Sequence, residues 1–370
     1  MEGNSFVRKE KNMGIELLRI ISMFMVIFLH ILNFGINYQG LESFSANWYI
    51  SWFLEGFCYC AVNIYAMISG YVMLNSRCRA SRIIELWLQV FCYSVISILV
   101  LNKLQPELVS RMDIWKSCFP VLSQRFWYFT AYFAIFWFIP FFNWIVDKLS
   151  YIQMRKLIYR LILIFGIMPW IAELWGTWAF GLTGGYTALW LSIMYLVGAG
   201  IRKYGYSVIS FKRKEHSKQY FLRMAVCCGI LIYLTKLVLT ILNRTVFEYE
   251  VRTDIFYSYL SPLVIMEAVF LLCFFCKIKI KQGSFWLKSS GLTFGIYLIH
   301  LSPLFGEYVW KRFSSVGNKT PLIFTGVVIL GTLLIYAGCA GIEYCRVKIF
   351  SICKISPIIE SILKNMKKRG

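Results

Sequence analysis

Few residues in this chain have types that do chemistry, and the sharpest pair lies in one apolar stretch, Arg19-IISMFMVIFL-His30. Eleven residues of helix turn through about 1100°, roughly 20° past three full turns, so both side chains share one face about 16 Å apart along the axis. Histidine suits the removal of a hydroxyl proton near neutral pH, its ordinary pKa being about 6.5. Arginine suits phosphate, because its planar fork bonds two oxygens at once. Asn33 and Asn37 continue the same stripe. The plainer reading is an Arg reaching back to a membrane interface and a His bonded to a neighbour. Both on one stripe, with two Asn beyond, favour the functional reading, since polar groups inside apolar segments are costly.

Other candidates are softer. Arg79 and Arg82, three apart at a helix start, share a face, and a helix N-terminus suits phosphate; together with Arg77 they equally mark topology. Ser69-Gly70 lets helices pack closely or places a hydroxyl. Asn63 orients a ligand or bonds another helix. Glu55 binds an acceptor, acts as an acid, or is a solvated span end. His300 supports the site or is structural. Lys236 and Glu267, on consecutive spans, are expected to neutralise each other. His216, in a basic loop, is read as solvated. No metal is expected, because Cys273-x-x-Cys276 has no second ligand pair. The sequence supports no bridge among Cys58, Cys60 and Cys118.

The elements that must position these residues follow from composition. Of 370 residues, 59% are hydrophobic and only 15% charged, where a soluble domain carries about 25% charged. The mean hydropathy of +0.63 agrees. This excludes a soluble enzyme, a disordered chain, a collagen-like fibre and an alternating outer-membrane barrel. What remains is an all-α, polytopic transmembrane bundle, because helices satisfy their own backbone in lipid.

Ten apolar stretches read as spans: 15–34, 52–74, 83–101, 126–146, 157–175, 186–201, 221–242, 255–276, 292–310 and 321–342. They divide the chain into a cytoplasmic segment 1–14, a ten-span domain 15–342 and a basic cytoplasmic tail 343–370. With the N-terminus inside, about two thirds of the 39 Lys and Arg fall in inner segments, which places both ends in the cytoplasm. The net charge of +21 is then mainly orientation, and no nucleic acid is expected. The first apolar run is long and lacks a small-x-small site, so it reads as an uncleaved span of a multi-pass cell-membrane protein.

Arg-x10-His in the first span resembles the signature of the acyltransferase-3 family, integral membrane proteins that O-acylate surface glycans and related molecules. Four further segments are similar to that family's: Ala61-VNIYAMISGYVM, Arg79-A-S-Arg82, Phe126-WYFTAYFAIFWFIP and Ser290-GLTFGIYLIH. They occur in order and cover residues 13 to 305. Three departures stand out. Aromatics and Thr130 replace the Glu that many members carry in the fourth span. The Pro after the late His is displaced, giving His300-Leu-Ser-Pro303. No hydrolase-like domain follows span ten, so the membrane part is expected to act alone or pass the acyl group to a partner transferase.

The resemblance implies an acyl-CoA donor, acetyl-CoA above all, and a sugar hydroxyl as acceptor. Arg79, Arg82 and Arg19 would then face the CoA phosphates from the cytoplasm. The thioester would thread to His30, the general base. Asn33, Asn63, Ser69, Glu55 and His300 would serve the acceptor, a surface polysaccharide or its lipid-linked precursor. The alternative is a non-enzymatic glycan transporter or flippase. Against it, no pair of Gly/Pro-broken spans recurs in matching halves. A polymerase would need a large outer loop, which is absent.

Overall fold

The computed structural model describes residues 12–74, 76, 78–210, 216–246, 251–281 and 285–369. The inner charges assigned to residues 1–11, to Arg77 and, in the loop around Phe211, to residues 212–214 lie outside the described residues. Described residues form helices and connecting turns, with no strand among them. In chain order the helices are α1 (Met13–His30), α2 (Ala46–Cys58), α3 (Ala61–Met73), α4 (Ala80–Leu104), α5 (Arg111–Cys118), α6 (Trp127–Lys148), α7 (Tyr151–Ile162) and α8 (Met168–Ala172). After these come α9 (Ala188–Tyr204), α10 (Lys218–Thr245), α11 (Pro262–Cys276), α12 (Thr293–His300), α13 (Pro303–Tyr308), α14 (Pro321–Ile352) and α15 (Ile355–Arg369).

Their starts are written locally. The Asn12 side chain accepts from the Gly14 and Ile15 amides at 3.0 and 3.4 Å. Ser45, Thr187 and Ser217 cap α2, α9 and α10 in the same way. Ser110 with Asp113, and Ser150 with Gln153, complete capping boxes. Pro262, Pro303 and Pro321 open helices where a missing N–H costs nothing.

Seven helical stretches are long and apolar enough to cross a membrane: Met13–Ile36, Ala46–Met73, Ala80–Leu104, Trp127–Lys148, Tyr151–Trp175, Lys218–Thr245 and Pro321–Ile352. The other three expected spans are not among these long helices. α9 has 17 residues and α11 has 15. The stretch 292–310 is broken in two, because Pro303 cannot continue the preceding turn and Ser302 caps a new helix through the Phe305 amide. α12 therefore ends at His300. The second span begins earlier than expected and bends at Tyr59–Cys60. α14 runs on to Ile352, so the tail drawn from residue 343 starts inside a helix.

That extension has a cause. Glu343 is buried and accepts both nitrogens of Arg346 at 2.8 and 2.6 Å, Tyr93 at 2.6 Å and Gln89 at 3.0 Å. A buried carboxylate needs such donors, and here they bind α14 to α4. α1 runs through the centre of the bundle, against α2, α3, α11, α12 and α14. The outer faces of α6 and α14 expose Trp137, Phe141, Trp144, Leu330 and Leu334, as lipid-facing helices do.

α3 and α9 cross with backbones in contact. A Cβ on Gly70 would strike the Tyr195 carbonyl, and one on Gly198 the Met67 carbonyl. Small residues permit this approach. Gly198→Leu is expected to destabilise the bundle by about 1–3 kcal/mol, as overpacking does. Thermal unfolding in detergent measures it, and an unchanged midpoint would disprove the contact.

Candidate active site

A cavity of about 690 Å³ lies among α1, α3, α4, α6, the segment 252–259 and the stretch 290–301. α1 supplies its long wall. Arg19, Met23, Val26 and His30 all face it, as the shared stripe requires. The cavity thus joins a basic end at Arg19 to a histidine end at His30.

At the basic end Arg82, in the first turn of α4, lines the cavity beside Arg19. Arg19 is held by Glu16 at 2.9 Å. Arg82 makes no ion pair among the described residues. Its neighbour Arg79 does not line the cavity: it is exposed and lies 3.7 Å from Glu360 of α15. The shared face expected for the two arginines is lost because Arg79 precedes the helix, as its extended N-cap.

At the other end the two histidines form a pair. His30 Nδ1 lies 2.8 Å from His300 Nε2, and His300 Nδ1 lies 2.6 Å from the Ile296 carbonyl oxygen. A carbonyl only accepts, so His300 carries its proton on Nδ1 and its Nε2 accepts. His30 must then donate from Nδ1. In the neutral ring this leaves the lone pair on His30 Nε2, in the side chain that lines the cavity. His300 itself is fully buried and lies behind His30. It bonds the His30 ring and does not line the cavity. The break at Leu301–Ser302 places it there, at the last position of α12.

Directly after His30 the chain makes a π-helical turn, Ile31–Ile36, a device common at functional sites. It keeps Asn33 in the wall and breaks the stripe at Asn37, which turns left-handed (φ 54°) and does not line the cavity.

Ser69 lines the cavity, its hydroxyl donating to the Tyr65 carbonyl at 3.0 Å. Asn63 does not reach it. That residue is fully buried, donating to the Tyr259 carbonyl and accepting from the Trp190 indole, both at 2.9 Å. It braces the wall. Glu55 does face the cavity. Lys236 and Glu267 form no ion pair. The Lys236 ammonium donates to Thr253 at 2.7 Å and lies 3.8 Å over the Trp52 ring, a cation–π contact that draws it away from Glu267. All twelve cysteines are free. Among the described residues no group of His, Cys, Asp or Glu is arranged to hold a metal.

The wall around His30 also contains residues the sequence did not single out. Arg252 and Asp254 come from the expected outer loop, and Tyr257 and Tyr259 from the start of the expected span 255–276, which is irregular up to Pro262. Three bonds pin it: Trp170 to the Ile255 carbonyl at 2.9 Å, Tyr257 to the Trp52 carbonyl at 2.7 Å, and Asn63 to Tyr259. Ser290, Thr293 and Phe294 line the cavity from the late motif, and Trp127, Tyr128 and Tyr132 from the aromatic one.

The fold defines a polytopic helical membrane protein with a cavity inside the bundle. The acyltransferase-domain model of the acyltransferase-3 family matches residues 12–340. The chain therefore belongs to that family and is a membrane acyltransferase. No curated protein and no solved structure matches it.

Proposed function

We propose that this protein is an O-acyltransferase of the cell membrane. It moves an acetyl group from acetyl-CoA to a hydroxyl of a surface polysaccharide or its lipid-linked precursor. The observation that carries the reading is the single cavity joining Arg19 and Arg82 to a histidine whose ring partner fixes the basic nitrogen. The donor set at the basic end suits the phosphates of CoA, since guanidinium forks match phosphate oxygens. The roughly 16 Å from Arg19 to His30 along α1 suits an extended pantetheine arm.

In this mechanism His30 Nε2 takes the proton of the acceptor hydroxyl as its oxygen attacks the thioester carbonyl. The C–O bond forms, the C–S bond breaks, and His30 returns the proton to the departing thiolate. His300 stabilises the charged His30 ring by accepting from Nδ1 throughout. The charge asymmetry of the loops supports a cytoplasmic basic end and an extracytoplasmic acceptor.

Sealed proteoliposomes of known orientation test this. Acetyl-CoA on the cytoplasmic face should acetylate acceptor held on the opposite face, and acetyl-CoA on the outer face should give nothing. A polyphosphate cannot cross about 30 Å of hydrocarbon. Transfer only when both substrates share the cytoplasmic face would overturn threading and move the acceptor towards Arg19.

A further inference from the structure

α14 leaves the bundle with its outer face bare. Leu330, Leu334, Ile342, Ile349 and Ile352 are exposed along it. Near its end the Lys348 ammonium lies 4.9 Å from the centre of the exposed Tyr344 ring. Tyrosine and lysine together mark the level of lipid headgroups. Just beyond, Lys354 turns left-handed (φ 51°), and α15 begins.

α15 is two-sided. Its apolar residues are Ile355, Ile358, Ile359, Ile362, Leu363 and Met366, a stripe about 140° wide at 100° per residue. Packing within the bundle uses one edge of that stripe. Ile359 is buried where α15 rests on α4, and Glu360 lies 3.7 Å from Arg79 there. Ile358, Ile362 and Met366, four apart and so in one row, stay exposed. The remainder of the helix is basic. Lys354 and Lys364 are exposed, the sequence adds Lys367, Lys368 and Arg369, and Glu360 is the one acid between 354 and 369. Three side chains do not supply the roughly 800 Å² per partner that a stable protein interface takes. A row of large apolar side chains flanked by cations fits the boundary between headgroups and acyl chains, and it follows directly on the lipid-facing surface of α14.

We propose that α15 lies in the plane of the bilayer surface and binds anionic lipid. Ile358, Ile362 and Met366 seat among the acyl chains, and the basic residues of 354–369 face the headgroups. Neutral lipid offers the apolar row the same seat but no counter-charge, so headgroups with net negative charge are the preferred partner. Because α15 rests on α4, whose first turn carries Arg82, it also fixes the depth of that arginine relative to the surface.

Hydrogen–deuterium exchange of the full chain in nanodiscs tests this, with one chain per disc and a second preparation holding two. One set of discs contains phosphatidylcholine alone, the other equal parts phosphatidylcholine and phosphatidylglycerol. Exchange across residues 355–369 should be about tenfold slower in the anionic discs, within what two basic residues contribute at such a surface. Raised salt should cancel most of that difference. Exchange in α3, which takes no part in the contact, should be the same in both lipids. Lys354→Glu with Lys364→Glu should remove most of the gain from phosphatidylglycerol. Ile358→Asn with Ile362→Asn should speed exchange in both lipids, because the apolar seat is lost. Both double variants change exposed side chains only, and unchanged exchange in α3 shows that the bundle folds. Equal exchange of the wild type in the two lipids, a gain that survives the charge reversals, or slow exchange only in discs holding two chains would each overturn the proposal. The last result would make this face a contact between copies of the chain.

Discussion

His30→Ala should lower acyl transfer by about 10²–10⁴-fold, the usual contribution of a positioned acid–base group, while the protein still inserts and folds. The side chain lines the cavity rather than filling the core, so its loss leaves no large void. Neither of the other two histidines can replace it, because His300 is buried behind it and His216 lines a separate pocket. His300→Ala should cost less. It removes the acceptor that fixes the His30 tautomer and leaves the His30 Nδ1–H without its partner, but the base remains. His300→Gln, which keeps a side-chain acceptor, should recover part of the loss. The comparison separates orientation from packing, since a merely structural histidine would not be rescued by glutamine. The measurement is turnover of labelled acetyl from acetyl-CoA at saturating donor. Retention of more than half of wild-type turnover in His30→Ala would remove that residue from the mechanism.

The arginines at the other end should separate as sharply. Arg82→Ala is expected to raise the donor KM about tenfold or more, the worth of a charge-assisted hydrogen bond, with acceptor saturation unchanged. Arg82→Lys should fall between, keeping the charge but losing the planar fork. Arg79→Lys and Arg79→Ala should leave donor KM close to wild type. That side chain is outside the cavity and its ion pair with Glu360 is exposed, and exposed pairs contribute little. Donor KM values from initial rates decide the matter. A large effect at Arg79, with none at Arg82, would show that the donor enters over the α15 side of α4.

How much of this was legible beforehand differs from residue to residue. Arg19 and His30 lie on one helix, so their common face followed from the helical period alone. Glu55, Ser69 and Asn33 stood out as polar groups in apolar surroundings, and Arg82 as an arginine at a helix start; each lines the cavity. The all-helical architecture followed from composition, since no other regular structure hides so polar a backbone in lipid. The span start at Pro321 was read where the helix begins, while the starts of α1 and α7 are set by the caps Asn12 and Ser150, interactions within one turn.

Only the tertiary structure decided the rest, because it depended on contacts between residues far apart in the chain. His30 and His300 are 270 residues apart; a histidine in one helix carries no local mark of the ring that will fix its tautomer. Asn63 and Glu55 were equal candidates as sequence, until packing turned one into a brace against Trp190 and left the other facing the chamber. Arg79 and Arg82 were likewise a pair until one became a helix cap and the other a wall. Residues 255–261 read as the start of a span, yet bonds from Trp170, Asn63 and Tyr257 hold them irregular and place Tyr257 and Tyr259 in the wall. The sequence alone determined which residues were too costly to bury without a purpose. Packing decided which of them share a cavity, because local rules reach one or two turns of helix and a reaction chamber is built from many.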